Sequence, residues 1–234
     1  MTVIVPTRGR PHNAARLIEA WQATEASAPL LFVVDETDEK IEDYAKLLRD
    51  SPEFVSWIRT PTKTMVAALN YGARKIASST RVGRWIGFMG DDHVPRTPRW
   101  DERISATFLR FGPSIVYAND TVQGQNLPTQ AFIARDFIFS RGRMCPQTLT
   151  HLYVDNYWKR LGELSETLVY LADVIIEHVH PVAGKAEWDE GYRRVNDGSI
   201  YGADHGAFND YMASSEMTND VERMRELRQN WGGS

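Results

Sequence analysis

The sequence has little of several features that would place it in a special class of protein. A single cysteine, Cys145, among 234 residues excludes an internal disulfide and a multi-cysteine metal site. No apolar run approaches the roughly 20 residues of a membrane-spanning helix, and the first residues lack the apolar core of a signal peptide. We therefore expect a soluble protein of the cytoplasm.

Basic charge and sequence repetition are also scarce. The formal net charge is −4 and the pI is near 5.9, so the chain has no general basic character that would suggest nucleic-acid binding. No internal repeat, linker or low-complexity segment interrupts a length that suits one domain. The glycine patterns that cradle phosphates in Rossmann and P-loop proteins are absent as well.

The first ninety residues alternate between apolar runs and helical patterns. Strands are predicted at 3–5, 30–34, 54–58 and 85–89, and helices from about 13 and over 38–49 and 64–78. Such an alternation with fully apolar strands indicates a parallel sheet that helices cover on both faces. Because ligands bind beyond the carboxyl ends of such strands, the polar residues that follow them should converge.

The second half of the chain has a different pattern. A helix over 100–111, a strand over 114–118, a polar loop over 121–130, a helix over 155–164 and a strand over 174–181 are predicted. Residues 136–141 fit a strand and a short helix equally well. We expect one domain over 1–202 and a helical extension over 203–234, which packs on the domain or forms a homodimer.

Two adjacent carboxylates, Asp91 and Asp92, follow the predicted fourth strand. Carboxylates at this place can hold a divalent cation, although a solvated turn or a helix cap has the same sequence. His178 and His180 share one face of a later strand and could complete the site. Imidazole beside carboxylate favours Mn²⁺ over Mg²⁺, while a zinc hydrolase site is an alternative interpretation.

Polar residues also follow the first two strands. The arginines in the group Thr7, Arg8 and Arg10 could hold phosphate or ribose oxygens, or could simply lie on the surface near a helix start. Asp35 could accept a hydrogen bond from a base, or cap a helix. Asn70 lies on a helix face of small residues, which suits either a flat ligand or close packing on the sheet.

Asp155 is a carboxylate at a helix start between aromatic residues. It could act as a general base toward an acceptor hydroxyl, or serve as an ordinary helix cap.

Together these stretches resemble the GT-A class of nucleotide-sugar glycosyltransferases, especially its family 2-like group. Val3-Ile4-Val5-Pro6-Thr7-Arg8 resembles the first strand and nucleotide loop, and Val34-Asp35 the position that contacts the base. Ala67-Ala68-Leu69-Asn70-Tyr71-Gly72 resembles the helix beside the nucleotide. Asp91-Asp92 is similar to the acidic metal motif, although it reads Gly-Asp-Asp-His here instead of Asp-x-Asp.

The later landmarks resemble the same family. Asp155-Asn156-Tyr157-Trp158 is similar to the segment with the catalytic base of inverting members, but has one acid where a pair is usual. His178 or His180 matches the late histidine of the metal site. The stretch from Tyr117 to Pro128 resembles the acceptor side of small bacteriophage members, which suggests a phage source and the host cytoplasm as its location.

The resemblance implies a GT-A fold, in which helices flank a mixed α/β sheet, and a metal-dependent glycosyltransferase that acts on an acceptor hydroxyl of protein, glycan or modified DNA. It implies Asp155 as the base and an inverting course, with Mn²⁺ or Mg²⁺ at Asp92, His178 and His180. The residues that it assigns to the nucleotide-diphosphate sugar are Pro6, Thr7, Arg8, Arg10, Asp35, Asn70, Asp91 and Lys185. Lys185 would close over the phosphates as part of a lid.

Two other functions remain open on the same residues. A nucleotidyltransferase would use the same half-sheet, metal and nucleotide pocket. A non-catalytic scaffold of this fold would keep the pocket without turnover.

Overall fold

A computed structural model of the protein describes residues 1–79, 83–189, 192–193 and 198–231. The strands are β1 (Thr2–Thr7), β2 (Leu30–Asp35), β3 (Val55–Thr60), β4 (Trp85–Phe88), β5 (His93–Pro95), β6 (Ile115–Asn119), β7 (Ala131–Ala134) and β8 (Leu168–His178). The helices are α1 (Pro11–Ala23), α2 (Ile41–Arg49), α3 (Met65–Ala77), α4 (Trp100–Phe111), α5 (Arg135–Arg141), α6 (Val154–Leu164), α7 (Gly198–Met212) and α8 (Ser215–Gln229).

The strands form one mixed sheet in the order β3-β2-β1-β4-β7-β6-β8-β5. The predicted parallel arrangement holds for the first four strands, because β1 pairs in parallel with β2 and β4, and β2 with β3. Strand β7 runs antiparallel to both of its neighbours, and β5 runs antiparallel to β8. The carboxyl ends of β1, β2 and β4 therefore meet at one edge, as the sequence predicts.

Helices cover both faces of the parallel half, which explains why its strands are apolar throughout. Successive residues of β1 belong to different core clusters, with Ile4 on one face and Val3 and Val5 on the other. Helix α3 lies very close to the sheet, since a Cβ at Gly72 would be 2.8 Å from Cγ2 of Val33. Packing on the sheet accounts for the small residues on this helix.

Residues 135–141 form a short helix, which resolves the ambiguity of the sequence pattern. The helical stretch expected at the C-terminus is two helices, and the expected domain boundary at 202 and 203 falls inside α7. Tyr211 and Met224 join the same core cluster as Trp158 of α6. The apolar residues of the extension thus pack on the domain. Within the described ranges, no helix is long and apolar enough to cross a membrane.

Candidate active site

A cleft of about 380 Å³ lies at the edge where the parallel strands end. Ten of the residues that the sequence predicts for the site line it, namely Pro6, Thr7, Arg8, Arg10, Asp35, Asp91, Asp92, Asp155, His178 and His180. The topology brings them together because each follows a strand, or begins a helix, at the same edge of the sheet.

The turn after β4 folds its side chains back on the backbone. Nδ1 of His93 accepts a hydrogen bond from the backbone N–H of Gly90 over 3.0 Å. A Cβ at Gly90 would lie 2.5 Å from Oδ1 of Asp92, so only glycine allows the carboxylate this position. The apolar strand, the glycine and the acidic pair therefore act as one structural unit.

Asp92, His178 and His180 offer one ligand atom each within 4.8 Å of one another. Strand pairing contributes to this cluster, since β5 and β8 place His93 opposite His178, and the two rings stack at 4.4 Å. Nε2 of His178 is 3.4 Å from Oδ2 of Asp92. A carboxylate with two imidazoles is a donor set that fits Mn²⁺.

The charges of this cluster depend on one another. Burial alone would raise the pKa of Asp92, but His178 and His93 hold it well below the usual range. Burial lowers the pKa of His178, yet Asp92 outweighs that effect and the net shift is upward. Burial and then the charge of Asp92 raise the pKa of Asp91 to about 6.

Asp91 is fixed from three sides and lies at the bottom of the cleft. It accepts hydrogen bonds from the Thr7 hydroxyl over 2.6 Å, from the Asn13 amide over 3.3 Å and from Arg10 over 3.4 Å. The Thr7 hydroxyl is thereby used to position Asp91, and Asp91 in turn lies beside the guanidinium of Arg10.

Sequence reasoning missed two residues after β8, Asp189 and Tyr192, which contact Arg10 and Asp92. The Tyr192 hydroxyl donates to Oδ2 of Asp92 over 2.8 Å, and its ring lies 3.8 Å from the guanidinium carbon of Arg10. Asp189 receives two hydrogen bonds of 2.7 Å from the same guanidinium. No sequence signal identifies these contacts, because they join residues 100 or more positions apart.

Asp35 and Arg8 form an ion pair of 3.2 Å at the end of β2. Oδ1 of Asp35 accepts hydrogen bonds from the backbone and hydroxyl of Thr37. Its Oδ2 is the oxygen that Nη1 of Arg8 approaches to 3.2 Å; it is buried and accepts no hydrogen bond of good geometry from any described residue. That oxygen is a ready acceptor at the wall of the cleft.

Two predicted contact residues are not among the described residues that line the cleft. The Asn70 amide, which the sequence predicts to contact the nucleotide, is buried and bonds to the backbone of Met144 and Cys145. Nζ of Lys185 donates to Thr121 over 2.6 Å and to Glu177 over 2.7 Å. This carboxylate and hydroxyl hold Lys185 away from the cleft, against the prediction that it covers the phosphates.

Asp155 lines the cleft in the first turn of α6 and accepts a hydrogen bond from the backbone N–H of Asn156. It is not the cap of the helix, because that position belongs to Tyr153, whose φ of 64° is unusual for a residue with a side chain. Burial is the largest influence on Asp155 and raises its pKa. A carboxylate with a raised pKa is a better proton acceptor than an ordinary one.

Structural comparison identifies the fold. A mannosyltransferase from Pyrobaculum calidifontis in complex with GDP-Man and Mn²⁺ aligns with 99% of this chain and 75% of its own, at a TM-score of 0.57 and 11% identity. A glucosyl-3-phosphoglycerate synthase from Mycobacterium tuberculosis in complex with Mn²⁺, UDP and glucosyl-3-phosphoglycerate aligns with 89% of this chain and 79% of its own, at a TM-score of 0.57 and 11% identity.

The fold also occurs in an enzyme of another class. A 4-diphosphocytidyl-2C-methyl-D-erythritol synthase from Anaerococcus prevotii aligns with 88% of this chain and 94% of its own, at a TM-score of 0.51 and 8% identity. The prediction of a GT-A fold, with helices that flank a mixed sheet, is confirmed.

Sequence comparison identifies the family. No curated protein sequence matches the chain. Residues 2–158, which include β1 to β7 and the start of α6, match the family profile of glycosyl transferase family 2. Because that match covers more than half of the chain, the protein belongs to glycosyl transferase family 2 and is a glycosyltransferase.

Proposed function

We propose that the protein transfers a sugar from a nucleotide-diphosphate sugar to an acceptor hydroxyl, with Mn²⁺ at Asp92, His178 and His180. One observation carries the proposal: the three grouped ligand atoms and the carboxylate of Asp155 line the same cleft. The two aligned sugar-transferring enzymes, from Pyrobaculum and Mycobacterium, have Mn²⁺ together with a guanosine or uridine nucleotide in their complexes, which supports this choice of metal and donor.

The base of the nucleotide would bind beside Asp35. Its Oδ2 pairs with the guanidinium of Arg8 but accepts no hydrogen bond of good geometry from the described residues, and a ring N–H of uracil or guanine would supply one. Arg8 is 39% exposed and pairs with the same carboxylate, so its guanidinium would define one side of the base pocket.

The diphosphate would bind near Arg10. Asp189 now satisfies that guanidinium, and a phosphate group offers the same pair of acceptor oxygens with more charge. Arg10 would therefore exchange Asp189 for the donor. Asp91 also pairs with Arg10, over 3.4 Å, and so helps to hold the guanidinium in position.

When bound, Mn²⁺ would offset the negative charge that develops on the leaving diphosphate. Asp92 contributes an ionised carboxylate, since its pKa is held low, and His178 presents Nε2 toward the same position. Asp155 would accept the proton of the acceptor hydroxyl as that oxygen attacks the anomeric carbon. Attack from the face opposite the leaving group gives inversion.

The test is release of free nucleotide from UDP-sugars and GDP-sugars with and without Mn²⁺, in the wild type and in Asp92→Asn. We expect metal-dependent release by the wild type and none by the variant, whose circular dichroism spectrum should show an intact fold. Asp43→Asn, an exposed carboxylate on α2, is the control and should behave as the wild type. Full metal-dependent activity of Asp92→Asn would contradict the proposed site.

Three further measurements on the same protein distinguish the alternative functions. Release of pyrophosphate from a nucleoside triphosphate would indicate a nucleotidyltransferase, and donor binding without release would indicate a scaffold. Tight Zn²⁺ binding without nucleotide affinity would indicate a hydrolase. Four expectations stay predictions of the sequence: the class of acceptor, the homodimer, the cytoplasmic location and the phage source.

A further inference from the structure

Four rings, those of Tyr153, Tyr201, His205 and Phe208, form an aromatic surface at the border of the cleft. Tyr153 lies at the centre, with ring centroids 5.6 Å from Tyr201, 5.4 Å from His205 and 5.3 Å from Phe208. Tyr201 and His205 are one turn apart on α7, and their planes differ by only 23°. Tyr201 keeps 57% of its surface exposed, which is unusual for a large aromatic side chain that packs against other rings.

The aromatic surface is continuous with the cleft. Tyr153 belongs to both, since it lines the cleft and contacts the three other rings. Asp155 follows two residues later on the same wall. A molecule that lies on Tyr201 and Tyr153 would therefore reach the carboxylate that we propose as the base.

Hydrogen bonds of a buried carboxylate hold the aromatic surface in place. Asp204 of α7 is buried, and its carboxylate accepts hydrogen bonds of 2.7–2.9 Å from the backbone N–H groups of Thr150, His151 and Leu152. The helix is thus tied to the loop that carries Tyr153. Tyr153 itself has a left-handed backbone, a conformation that persists only where surrounding contacts impose it.

The charge of α7 limits what can bind there. The helix contains no lysine or arginine, and it carries Asp204 and Asp210. Binding of single-stranded nucleic acid combines stacking with a positively charged groove, which this helix does not supply. The exposed polar groups are instead imidazole and amide, with Nδ2 of Asn209 3.2 Å from Nε2 of His205.

These properties match a carbohydrate. One face of a pyranose ring presents C–H groups, which pack on the electron-rich face of an aromatic ring, and its edges carry hydroxyl groups that bond to imidazole and amide. We propose that the aromatic surface is the acceptor subsite and that the acceptor is a glycan, whose terminal sugar stacks on Tyr201 and directs a hydroxyl to Asp155. This inference rests on the function proposed above.

The experiment screens the full-length protein, with Mn²⁺ and UDP or GDP, on a broad glycan array, and follows the glycans that bind by titration. We expect binding to one structural class of glycan. Tyr201→Ala should weaken that binding about tenfold, because an aromatic stack contributes on the order of 1 kcal/mol. Tyr201→Phe keeps the ring and should stay within about twofold of the wild type.

Two controls keep the result specific. Phe139→Ala removes another exposed aromatic residue, on α5, and should leave glycan binding unchanged. Donor binding, measured separately with UDP-sugar or GDP-sugar and Mn²⁺, should be the same in Tyr201→Ala and the wild type. If the wild type does not bind the donor, the proposed function is overturned. If it binds the donor but no glycan, only the acceptor subsite is overturned.

Two further outcomes also overturn the inference. Glycan binding that survives Tyr201→Ala would show that the sugar lies elsewhere. Binding of a single-stranded oligonucleotide that Tyr201→Ala abolishes would assign the surface to nucleic acid.

Discussion

His178 and Asp120 face each other across 3.9 Å, measured from Nδ1 of the imidazole to Oδ2 of the carboxylate, on the side of the ring away from Asp92. The negative charge of Asp120 favours the tautomer with its proton on Nδ1, which leaves the lone pair of Nε2 for a metal. Asp120 is fully buried, and its other oxygen accepts hydrogen bonds from the backbone of Val122, Gln123 and Gly124.

We expect Asp120→Asn to weaken Mn²⁺ binding by about 10-fold to 100-fold, the usual effect of losing an outer carboxylate. Asparagine keeps an oxygen for the backbone hydrogen bonds, so the loop should stay folded. Isothermal titration calorimetry with Mn²⁺ measures the change, and Asp136→Asn, an exposed carboxylate on α5, is the control. An affinity within twofold of the wild type would show that Asp120 does not orient His178.

The sequence predicts those parts of the site that depend on local order. Arg10, Asp35 and Asp92 lie at or shortly after the ends of buried strands, and parallel strands bring their carboxyl ends together without further information. This is possible because a few consecutive residues encode both features: a continuous apolar run indicates a strand buried on both faces, and the first polar residues after it mark the end of the strand.

The remaining contacts depend on pairings that sequence periodicity does not contain. Asp120 approaches His178 because β6 and β8 pair in parallel, with a register shift at Asn119. Tyr192 reaches Asp92 from a segment after the last strand. The family resemblance assigns Asn70 to the nucleotide, yet the backbone near Cys145 bonds to its amide.

His178 and His180 are not equivalent as ligands. Nδ1 of His180 accepts a hydrogen bond from the backbone N–H of Val182, so a neutral ring carries its proton on Nε2. Ligation by His180 through either ring nitrogen therefore requires loss of that hydrogen bond, whereas Nε2 of His178 faces the carboxylate of Asp92.

We accordingly expect His178→Ala to abolish measurable Mn²⁺ binding, and His180→Ala to weaken it by less than about tenfold. Electron paramagnetic resonance of free Mn²⁺ measures both affinities in one titration. His12→Ala, on α1, serves as the control for general loss of a histidine. Stronger impairment by His180→Ala than by His178→Ala would reverse the assignment.

Asp155 should give the activity a defined dependence on pH. Burial raises its pKa above the ordinary value of 3.8, and the base must be ionised to accept a proton. Transfer should therefore decline as the pH falls through that raised pKa. Asp155→Asn should lower kcat by about 10²-fold to 10⁴-fold at neutral pH, which is the usual contribution of a general base.

The same shift has an opposite consequence for stability. Between 3.8 and its raised pKa, Asp155 binds its proton more tightly in the native state, so its effect is to lower the free energy of unfolding as the pH rises. Asp155→Asn should thus melt at a higher temperature than the wild type at pH 7, and at the same temperature below pH 3.8. A lower melting temperature at pH 7, with full activity, would contradict both the burial and the role.

Asp220 fastens the last helix to the helix that carries Asp155. It is fully buried, accepts hydrogen bonds from the hydroxyls of Tyr157 on α6 and Tyr211 on α7, and pairs with Arg141 and Arg143. Asp220→Ala would leave two mostly buried guanidinium groups without this partner. We expect the free energy of unfolding to fall by about 3–5 kcal/mol, as for other broken buried ion pairs.

Glu216 supplies the matched control for this prediction. It pairs with the same two arginines but is 53% exposed, so Glu216→Ala should cost less than about 1 kcal/mol. Urea unfolding followed by tryptophan fluorescence measures both variants. Equal losses in the two would show that the buried position of Asp220 does not set its contribution, and that α8 is held on the domain by its apolar contacts alone.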